Sequence, residues 1–260
     1  MKKLVAILLI LVLCVSACTY AAETPVCGRT DTENFRGGRI TENQGEDSTG
    51  RRAGDTVTFG TWGGEPIEWQ IMEDKGDGTY VLLSVKILDA KPYNTKNEKL
   101  TWEACSLRAW LNGTFYKTAF SKSEKGKIVR STVETPDNYK CDTKGGKTTN
   151  DYVYILSLEE VGRYFNTDAY GWGKEEALIC MPTQTALKNG AFTVTQNKVN
   201  EKQPKYSYPL KVGACSWWLR SPGLTQNMAA YISHSGDVYH GGDSVNSEKI
   251  CVRPVICVRF

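Results

Sequence analysis

The sequence predicts an α+β fold in which twisted antiparallel sheets are segregated from two or three helices and connected by long irregular loops. Apolar residues alternate with polar ones between Val57 and Val85, which is typical of half-buried strands. Between Thr101 and Phe120 they recur instead at helical intervals. The last residues, Ile250 to Phe260, are almost continuously apolar. Because chain ends fray unless they are tied down, this run predicts an inner terminal strand.

The first strands are predicted from alternation and from one turn. Val57 and Phe59 begin a strand, and Ile67 to Ile71 form a second one in which apolar residues alternate with Glu and Gln. Asp77-Gly78 is a hairpin turn signal and precedes a third strand, Tyr80 to Val85.

Three helices and one further short element are predicted. The first helix begins at Thr101 as N-cap and is broken at Asn112-Gly113. The second begins at a capping box, Ser121 with Glu124, and ends at about Arg130. The third begins at Ser157 and ends near Phe165, and the short element is expected around Thr183 to Leu187. Between the second and third helices, Tyr152 to Leu156 is predicted as a strand.

The C-terminal region is predicted to hold an aromatic strand, Ser216 to Gly223, and a hairpin turning at Ser235-Gly236-Asp237. Ile250 to Phe260 would then form one last strand. Trp217 and Trp218 are adjacent and therefore face opposite sides of their strand, so one is expected in the core and the other under a loop or exposed.

The first residues of the chain predict that the protein is exported from the cytoplasm. Lys2 and Lys3 precede an apolar run that is too short to span a membrane, and small residues follow, as in a signal peptide over residues 1–17. Val15-Ser16-Ala17-Cys18 resembles a lipobox, which implies acylation of Cys18 and a cell-envelope location. Cleavage near Ala21 or Ala22 with plain secretion is the alternative. Residues 18–54 are mostly polar and predict a flexible tether to a single domain, residues 55–260.

Charge argues against a nucleic-acid partner. Loss of residues 1–17 removes Lys2 and Lys3 and no acidic residue, which leaves 30 basic and 29 acidic side chains with no basic stripe. Seven cysteines would remain beyond Cys18, without a CxxC pair. At most two disulfides are expected, and the spacing does not name their partners.

Five motifs resemble an uncharacterised family of bacterial surface and secreted domains. They are Pro66-Ile67-Glu68-Trp69, the segments 87–94 and 102–112, Trp217 to Gly223, and Val252-Arg253-Pro254. The C-terminal half is similar to C-type lectin-like domains of the formylglycine-generating-enzyme and retroelement variable-protein type. The resemblance implies a C-type lectin-like fold and no particular activity, since that fold hosts both binders and enzymes.

No cofactor or metal is expected. Calcium-dependent lectins of this fold carry motifs with carboxylate ligands. The nearest fragment in this chain, Gln203-Pro204-Lys205, has a lysine where a calcium ligand would be needed. An iron enzyme of this type needs three histidines, and the chain has only His234 and His240. These two histidines and Asp243 are a separate alternative, a transition-metal site beside the hairpin turn. A copper enzyme would use a cysteine pair such as Cys251 and Cys257. On one regular strand these lie roughly 20 Å apart, too far for one metal ion, and only a break at Pro254 could bring them together.

The predicted function is a non-catalytic recognition domain, anchored to the membrane by lipid only, that binds an extracellular protein or glycan. Exposed tyrosines on the hairpin favour binding because they offer large contact areas at small entropy cost. The candidate ligand-binding residues are Trp218, Arg220, Asn227, Tyr231, Ser233, Asp237 and Tyr239. The alternatives are a degenerate or copper-dependent formylglycine-generating-type enzyme and a structural envelope lipoprotein without a small ligand.

Overall fold

The computed structural model describes residues 50–171, 173, 175–195 and 211–260. The predicted signal peptide, Cys18 and most of the predicted tether lie outside the described residues. The described residues belong to one compact unit, Gln44–Phe260.

The first three strands form an antiparallel meander, as predicted. They are β1 (Thr56–Trp62), β2 (Glu65–Asp74) and β3 (Thr79–Ser84). In the turn between β2 and β3, Gly78 takes a positive φ of 77° and the Asp77 carboxylate accepts the Thr79 N–H at 3.0 Å. A positive φ is easily reached only by glycine, so the Asp-Gly pair sets this turn.

The C-terminal strand β12 (Val255–Arg259) is an inner strand of this first sheet, which confirms the prediction for these residues. It pairs with β3 on one side, and on the other with two short strands, β4 (Ile128–Val129) and β7 (Val153–Tyr154). The last strand of the chain is thus held by main-chain hydrogen bonds on both edges.

The prediction of one continuous strand from Ile250 to Phe260 is wrong. The run divides into β11 (Ile250–Cys251) and β12, which belong to different sheets. Pro254 lies between them; it lacks an N–H and restricts the residue before it, so a regular ladder cannot continue through it. Arg253 holds the segment between β11 and β12 in place, because its Nε donates a hydrogen bond to the Ser84 carbonyl at 2.9 Å.

The second sheet contains the predicted aromatic strand and hairpin. Its order is β10-β9-β8-β11, with β8 at Ser216–Pro222, β9 at Met228–Ile232 and β10 at Val238–Ser244. A register shift interrupts the β9–β10 ladder between Tyr239 and Asp243. A third, two-stranded sheet joins β5 (Ser131–Val133) to β6 (Thr149–Asp151).

The first helical segment continues through Asn112-Gly113, where the sequence predicted a break. A 3-10 turn at Trp102–Ala104 leads into α1 (Ser106–Trp110), a π-helical turn at Leu111–Phe115 and α2 (Tyr116–Ala119). Asn112 lies inside this run because its Oδ1 accepts the Tyr152 and Val153 N–H groups. The side chain expected to end the helix instead joins it to β7.

Three shorter helices begin at the predicted positions. They are α3 (Lys122–Lys125), α4 (Leu158–Phe165) and α5 (Gln184–Lys188). Complete capping boxes start α3 and α4, and the Thr183 hydroxyl caps α5. The first of these ends earlier than predicted, because β4 begins three residues after Lys125. The predicted strand Tyr152–Leu156 is reduced to β7.

The core joins both main sheets and the helices. Its largest fully buried side chains include Trp69, Trp102, Trp217 and Trp218. The α+β class is therefore confirmed. None of the helices in the described ranges is long and apolar enough to cross a membrane.

Candidate functional site

A cleft of about 260 Å³ opens beside the β9–β10 hairpin and is called the tyrosine cleft here. It gathers side chains from the hairpin, from the start of β8, from the residues around β11 and from the loop after α5. The lining residues are Phe192, Ser216, Tyr231, Ser233, His234, Ser235, Tyr239, Asp243, Lys249 and Ile250.

The centre of the cleft is a stacked pair of tyrosines. Tyr231 on β9 and Tyr239 on β10 are direct cross-strand partners, with ring centroids 4.9 Å apart and planes within 8°. Trp218 on β8 lies edge-on to Tyr231 at 6.5 Å and supports the pair from the core. Both tyrosines are half-buried. The pair is thus held in place by neighbouring strands while part of each ring stays accessible.

Both phenols are neutral near pH 7. Burial, followed by the neighbouring Tyr239 and the Asp243 charge, raises the pKa of Tyr231 to about 12. Burial, followed by the Asp237 charge, also raises the pKa of Tyr239. A neutral phenol can donate as well as accept a hydrogen bond, and its ring presents an apolar face.

The hairpin turn is held by its own polar side chains. The Asp237 carboxylate accepts hydrogen bonds from the hydroxyls of Ser233, at 3.0 Å, and of Ser235. The Ser233 hydroxyl oxygen also accepts the main-chain N–H groups of Ser235 and Asp237. Gly236 packs so closely on the Glu175 carbonyl that a Cβ would lie 2.3 Å from its oxygen. The turn is therefore a rigid wall of the cleft.

These contacts correct the prediction for Ser233. Its side chain was expected to point outward to a ligand, but the residue is only 5% exposed. Asp237 lies at the end of the hairpin as predicted and does not line the cleft. Both residues shape the turn that carries His234.

A bulge brings Asp243 into the cleft. The β9–β10 pairing shifts register after Tyr239, and Gly242 adopts a φ of 74° within the shift. Asp243 lines the same cleft as Lys249, which is exposed. The cleft therefore offers a carboxylate and an ammonium group beside two phenols.

Trp218 and Arg220, two of the candidate ligand-binding residues, are buried, so the exposed alternative for Trp218 is wrong. Trp218 is fully buried, and its Nε1 donates to the Lys91 carbonyl at 3.1 Å. Arg220 is 3% exposed and lies over the ring of Tyr154. Both predictions assumed regular alternation, whereas the β8–β9 register shifts between Trp218 and Pro222.

All five N–H groups of Arg220 are used within the fold. The guanidinium forms a two-pronged ion pair with Glu160, donates to the Glu134 carbonyl from Nε and Nη2, and donates to the Ile155 carbonyl at 2.8 Å. An arginine has five donors, so none remains for a ligand. Arg220 joins α4 to β8.

Asn227 is also placed away from the cleft. It precedes β9, at the end of the hairpin opposite the turn, and its side-chain amide donates to Asn97 Oδ1 at 3.0 Å. Of the seven predicted ligand-binding residues, the structure brings Tyr231, Ser233 and Tyr239 to the cleft.

Sequence reasoning missed Phe192, Ser216, Lys249 and Ile250 as lining residues. They come from segments that are distant along the chain and converge only through the second sheet. No local pattern marks Phe192, which precedes an isolated bridge between Thr193 and Cys215. The change from the charged Lys249 to the apolar Ile250 was the one signal that the sequence itself offered.

A second, larger cleft of about 620 Å³ lies over α4 and β5. It is lined by Thr132, Val133, Glu134, Pro136, Tyr154, Ser157, Glu159, Glu160, Arg163 and Arg220. Its cationic groups are already paired, Arg220 with Glu160 and Arg163 with Glu73 at 3.2 Å. Because these charges are satisfied internally, the smaller tyrosine cleft is the better candidate site.

The geometry of the described residues does not support the metal-binding alternatives. Within the described residues, no three His, Cys, Asp or Glu side chains lie close enough to hold a metal ion, so His234, His240 and Asp243 do not form such a group. The copper alternative required Cys251 and Cys257 in one site, but these lie on β11 and β12 of different sheets.

The fold and the cleft define an α+β domain with an aromatic surface site on a rigid hairpin. The chain belongs to the family described as Domain of unknown function (DUF6273), which matches residues 77–260 and thus includes the whole tyrosine cleft. No curated protein and no solved structure matches it. Nothing in these comparisons indicates catalysis.

Proposed function

We propose that this protein is a non-catalytic recognition domain, anchored at the cell envelope, that binds an extracellular glycan or protein in the tyrosine cleft. The observation that carries the proposal is the stacked Tyr231–Tyr239 pair, held by two strands beside an open cleft. Rigid aromatic side chains lose little entropy on binding and contribute large contact areas.

The chemistry around the pair supports a polar ligand with an apolar face. Asp243 accepts hydrogen bonds, Lys249 donates them and carries a positive charge, and the neutral phenols do both. A cleft of about 260 Å³ is smaller than a typical drug-sized site, so it fits one sugar unit or one side chain of a larger partner.

We propose in addition that the fold is C-type lectin-like. The pairing of the terminal strand β12 with β3, near the start of the domain, supports this, as does the long excursion between β7 and β8. The envelope location follows from the lipobox-like sequence at Cys18. The alternative of a formylglycine-generating-type enzyme would need Cys251 and Cys257 in one copper site, and it receives less support because these residues lie on strands of separate sheets.

Binding to a glycan array and to extracellular protein fractions tests the proposal. The double change Tyr231→Ala plus Tyr239→Ala removes the aromatic surface, so we expect affinity for any ligand found to fall by about tenfold or more. Titration of immobilised ligand with each protein measures the loss.

The chain offers a matched control for this experiment. Tyr116 and Tyr152 form another stacked pair, with centroids 4.4 Å apart, outside the cleft. Tyr116→Ala plus Tyr152→Ala removes the same number of rings and is expected to leave affinity unchanged. Equal affinity of both double variants, each confirmed as folded by circular dichroism, would contradict the proposal.

A further inference from the structure

The larger cleft over α4 and β5, called the α4 cleft from here on, contains a buried phenol without a hydrogen-bond partner. Tyr154 on β7 lines this cleft and is only 5% exposed, and the Arg220 guanidinium lies over its ring. Among the described residues, no group forms a hydrogen bond with the Tyr154 hydroxyl. The hydroxyl is not fully enclosed, so it opens onto the cleft. Buried polar groups are normally hydrogen-bonded, so a hydroxyl in this position is suited to a ligand.

Two carboxylates that line the α4 cleft are unpaired. Glu134 follows β5 and Glu159 lies in the first turn of α4, and both residues are exposed. Within the part of the chain that the structure describes, neither side chain forms a hydrogen bond or an ion pair. The cationic groups of the cleft are neutralised instead, because Arg220 pairs with Glu160 and Arg163 with a glutamate on β2. The charge that remains free in the cleft is therefore negative.

Arg220 holds together the two walls that carry these carboxylates. Its Nη2 donates to the Glu134 carbonyl at 2.7 Å and to Glu160 Oε1 at 3.0 Å. One nitrogen atom thus contacts the segment after β5 and the first turn of α4. Glu134 belongs to the first of these contacts, and Glu159 directly precedes the second. The cleft is therefore preorganised, which reduces the entropy that a ligand loses on binding.

The start of α4 does not favour an anion in this cleft, because main-chain N–H groups there are already bonded. The Ser157 N–H donates to Glu160, the Leu158 N–H to the Ser221 hydroxyl at 2.9 Å, and the Glu160 N–H to the Ser157 hydroxyl at 3.1 Å. A helix start binds anions through free N–H groups. A metal ion is not favoured either, since the described residues include no group of three suitable ligands. An organic cation fits the free negative charge best.

We propose that the α4 cleft is a second binding site, for a small organic cation of the alkylammonium class, which is attracted by Glu134 and Glu159 and hydrogen-bonded by the Tyr154 hydroxyl. An ammonium group has three donors and no acceptor, so it can bond to carboxylates and to a phenol oxygen. Burial raises the pKa of Tyr154 well above its ordinary value, so the phenol is neutral near pH 7. The volume of about 620 Å³ lies in the range of small-molecule sites, and Val133 and Pro136 offer an apolar wall to the alkyl part.

Isothermal titration calorimetry of the full-length protein tests the proposal with two probes of the same length, the five-carbon diamine cadaverine and the five-carbon dicarboxylate glutarate. We expect saturable binding of cadaverine and no binding of glutarate. N-acetyl-lysine amide is a further probe: its binding would point to a lysine side chain as the natural ligand, and binding of cadaverine alone to a free diamine. Binding of glutarate, displacement of cadaverine by calcium chloride, or no binding of either amine at millimolar concentration would overturn the proposal. The α4 cleft shares no lining residue with the tyrosine cleft, so this test is independent of the proposed function.

Paired glutamine variants separate a site from general attraction by charge. Glu134→Gln plus Glu159→Gln keeps the shape of the cleft and removes its free charge, so we expect the affinity for cadaverine to fall about fivefold or more. Glu68→Gln plus Glu176→Gln is the matched control, because it removes two exposed carboxylates outside this cleft. The control should bind like the wild type. Equal losses in the two double variants would show that the amine is attracted by net charge alone and would refute the site.

Tyr154→Phe distinguishes a ligand-binding hydroxyl from a structural one. The change removes a hydroxyl that has no partner among the described residues, so the melting temperature should not fall. The affinity for cadaverine should fall about tenfold, because a hydrogen bond to a charged group is lost. Tyr93→Phe is the contrasting control: the Tyr93 hydroxyl donates to the Arg220 carbonyl at 2.9 Å, so its loss should lower the melting temperature and leave the affinity unchanged. A less stable Tyr154→Phe protein with wild-type affinity would contradict the proposal.

Discussion

Arg220 shows how a single buried charge can organise this domain. Its guanidinium lies between α4 and β8, and Glu160 both neutralises it and completes the capping box of α4 by accepting the Ser157 N–H at 2.9 Å. One carboxylate therefore serves a helix start and an ion pair. Removing one member of a buried pair leaves the other charge uncompensated, which is strongly destabilising.

We expect Arg220→Met to lower the free energy of unfolding by about 3 kcal/mol or more, because Glu160 and two carbonyl groups lose their donor. Arg259→Met is the matched control. Arg259 pairs with Asp77 at 2.9 Å, but both side chains are more than half exposed, so its loss should cost about 1 kcal/mol or less. Urea denaturation measures both, and equal costs would contradict this account.

Residue-level predictions succeeded where the chemistry was local. Asp77-Gly78 was expected to turn the chain, and the Asp77 carboxylate accepts the N–H of Thr79, two residues onward. The role of Arg220 was missed because its partners lie about 60 to 90 residues earlier in the chain. The pattern of a strand predicts which face of the sheet a side chain lies on. It does not predict which carbonyl and carboxylate groups will accept its hydrogen bonds.

Among the elements, the β9–β10 hairpin carries the candidate site, and its bulge decides which side chains reach the cleft. Gly242 lies in the bulge with a positive φ, and a Cβ there would be 2.2 Å from the Ala229 carbonyl oxygen. Its neighbour Gly241 has open space around the Cβ position. The two adjacent glycines thus have different structural roles.

We expect Gly242→Ala to destabilise the protein by about 2 kcal/mol or more, because it combines an unfavourable φ with a backbone clash. Gly241→Ala should stay within about 0.5 kcal/mol of the wild type. Chemical denaturation of both variants checks this prediction. Similar stability of the two would mean that the bulge does not need glycine at position 242.

Element starts were more predictable than element ends. The capping box at Ser121 correctly placed the start of α3, because a cap bonds to residues three positions away, and the predicted helix start at Ser157 matches α4. The extent of α3 and the division of the last strand were not predictable, because pairing with distant strands set both limits. The π-helical turn was missed for the same reason: Asn112 bonds to residues 40 positions onward.

On the scale of the whole molecule, the lipobox-like sequence at Cys18 predicts a lipid anchor that would hold the domain outside the cytoplasm. We expect Cys18→Ala to move the full-length chain from the detergent-rich phase to the aqueous phase in phase partitioning, because lipid chains would supply the attachment. Cys27→Ala is the control and should partition like the wild type. If wild type and Cys18→Ala partition alike, and the mature chain begins near Ala22, plain secretion replaces the anchor.

The sequence by itself determined the α+β class, the early meander, the capped helices, the aromatic strand with its hairpin and the inner C-terminal strand. These depend on periodicity, turn chemistry and caps, which act over a few residues. The tertiary structure alone decided that Trp218 and Arg220 are internal, and that Tyr231 and Tyr239 line a cleft with Lys249. Such contacts depend on strand order and register between distant segments, which no local pattern specifies.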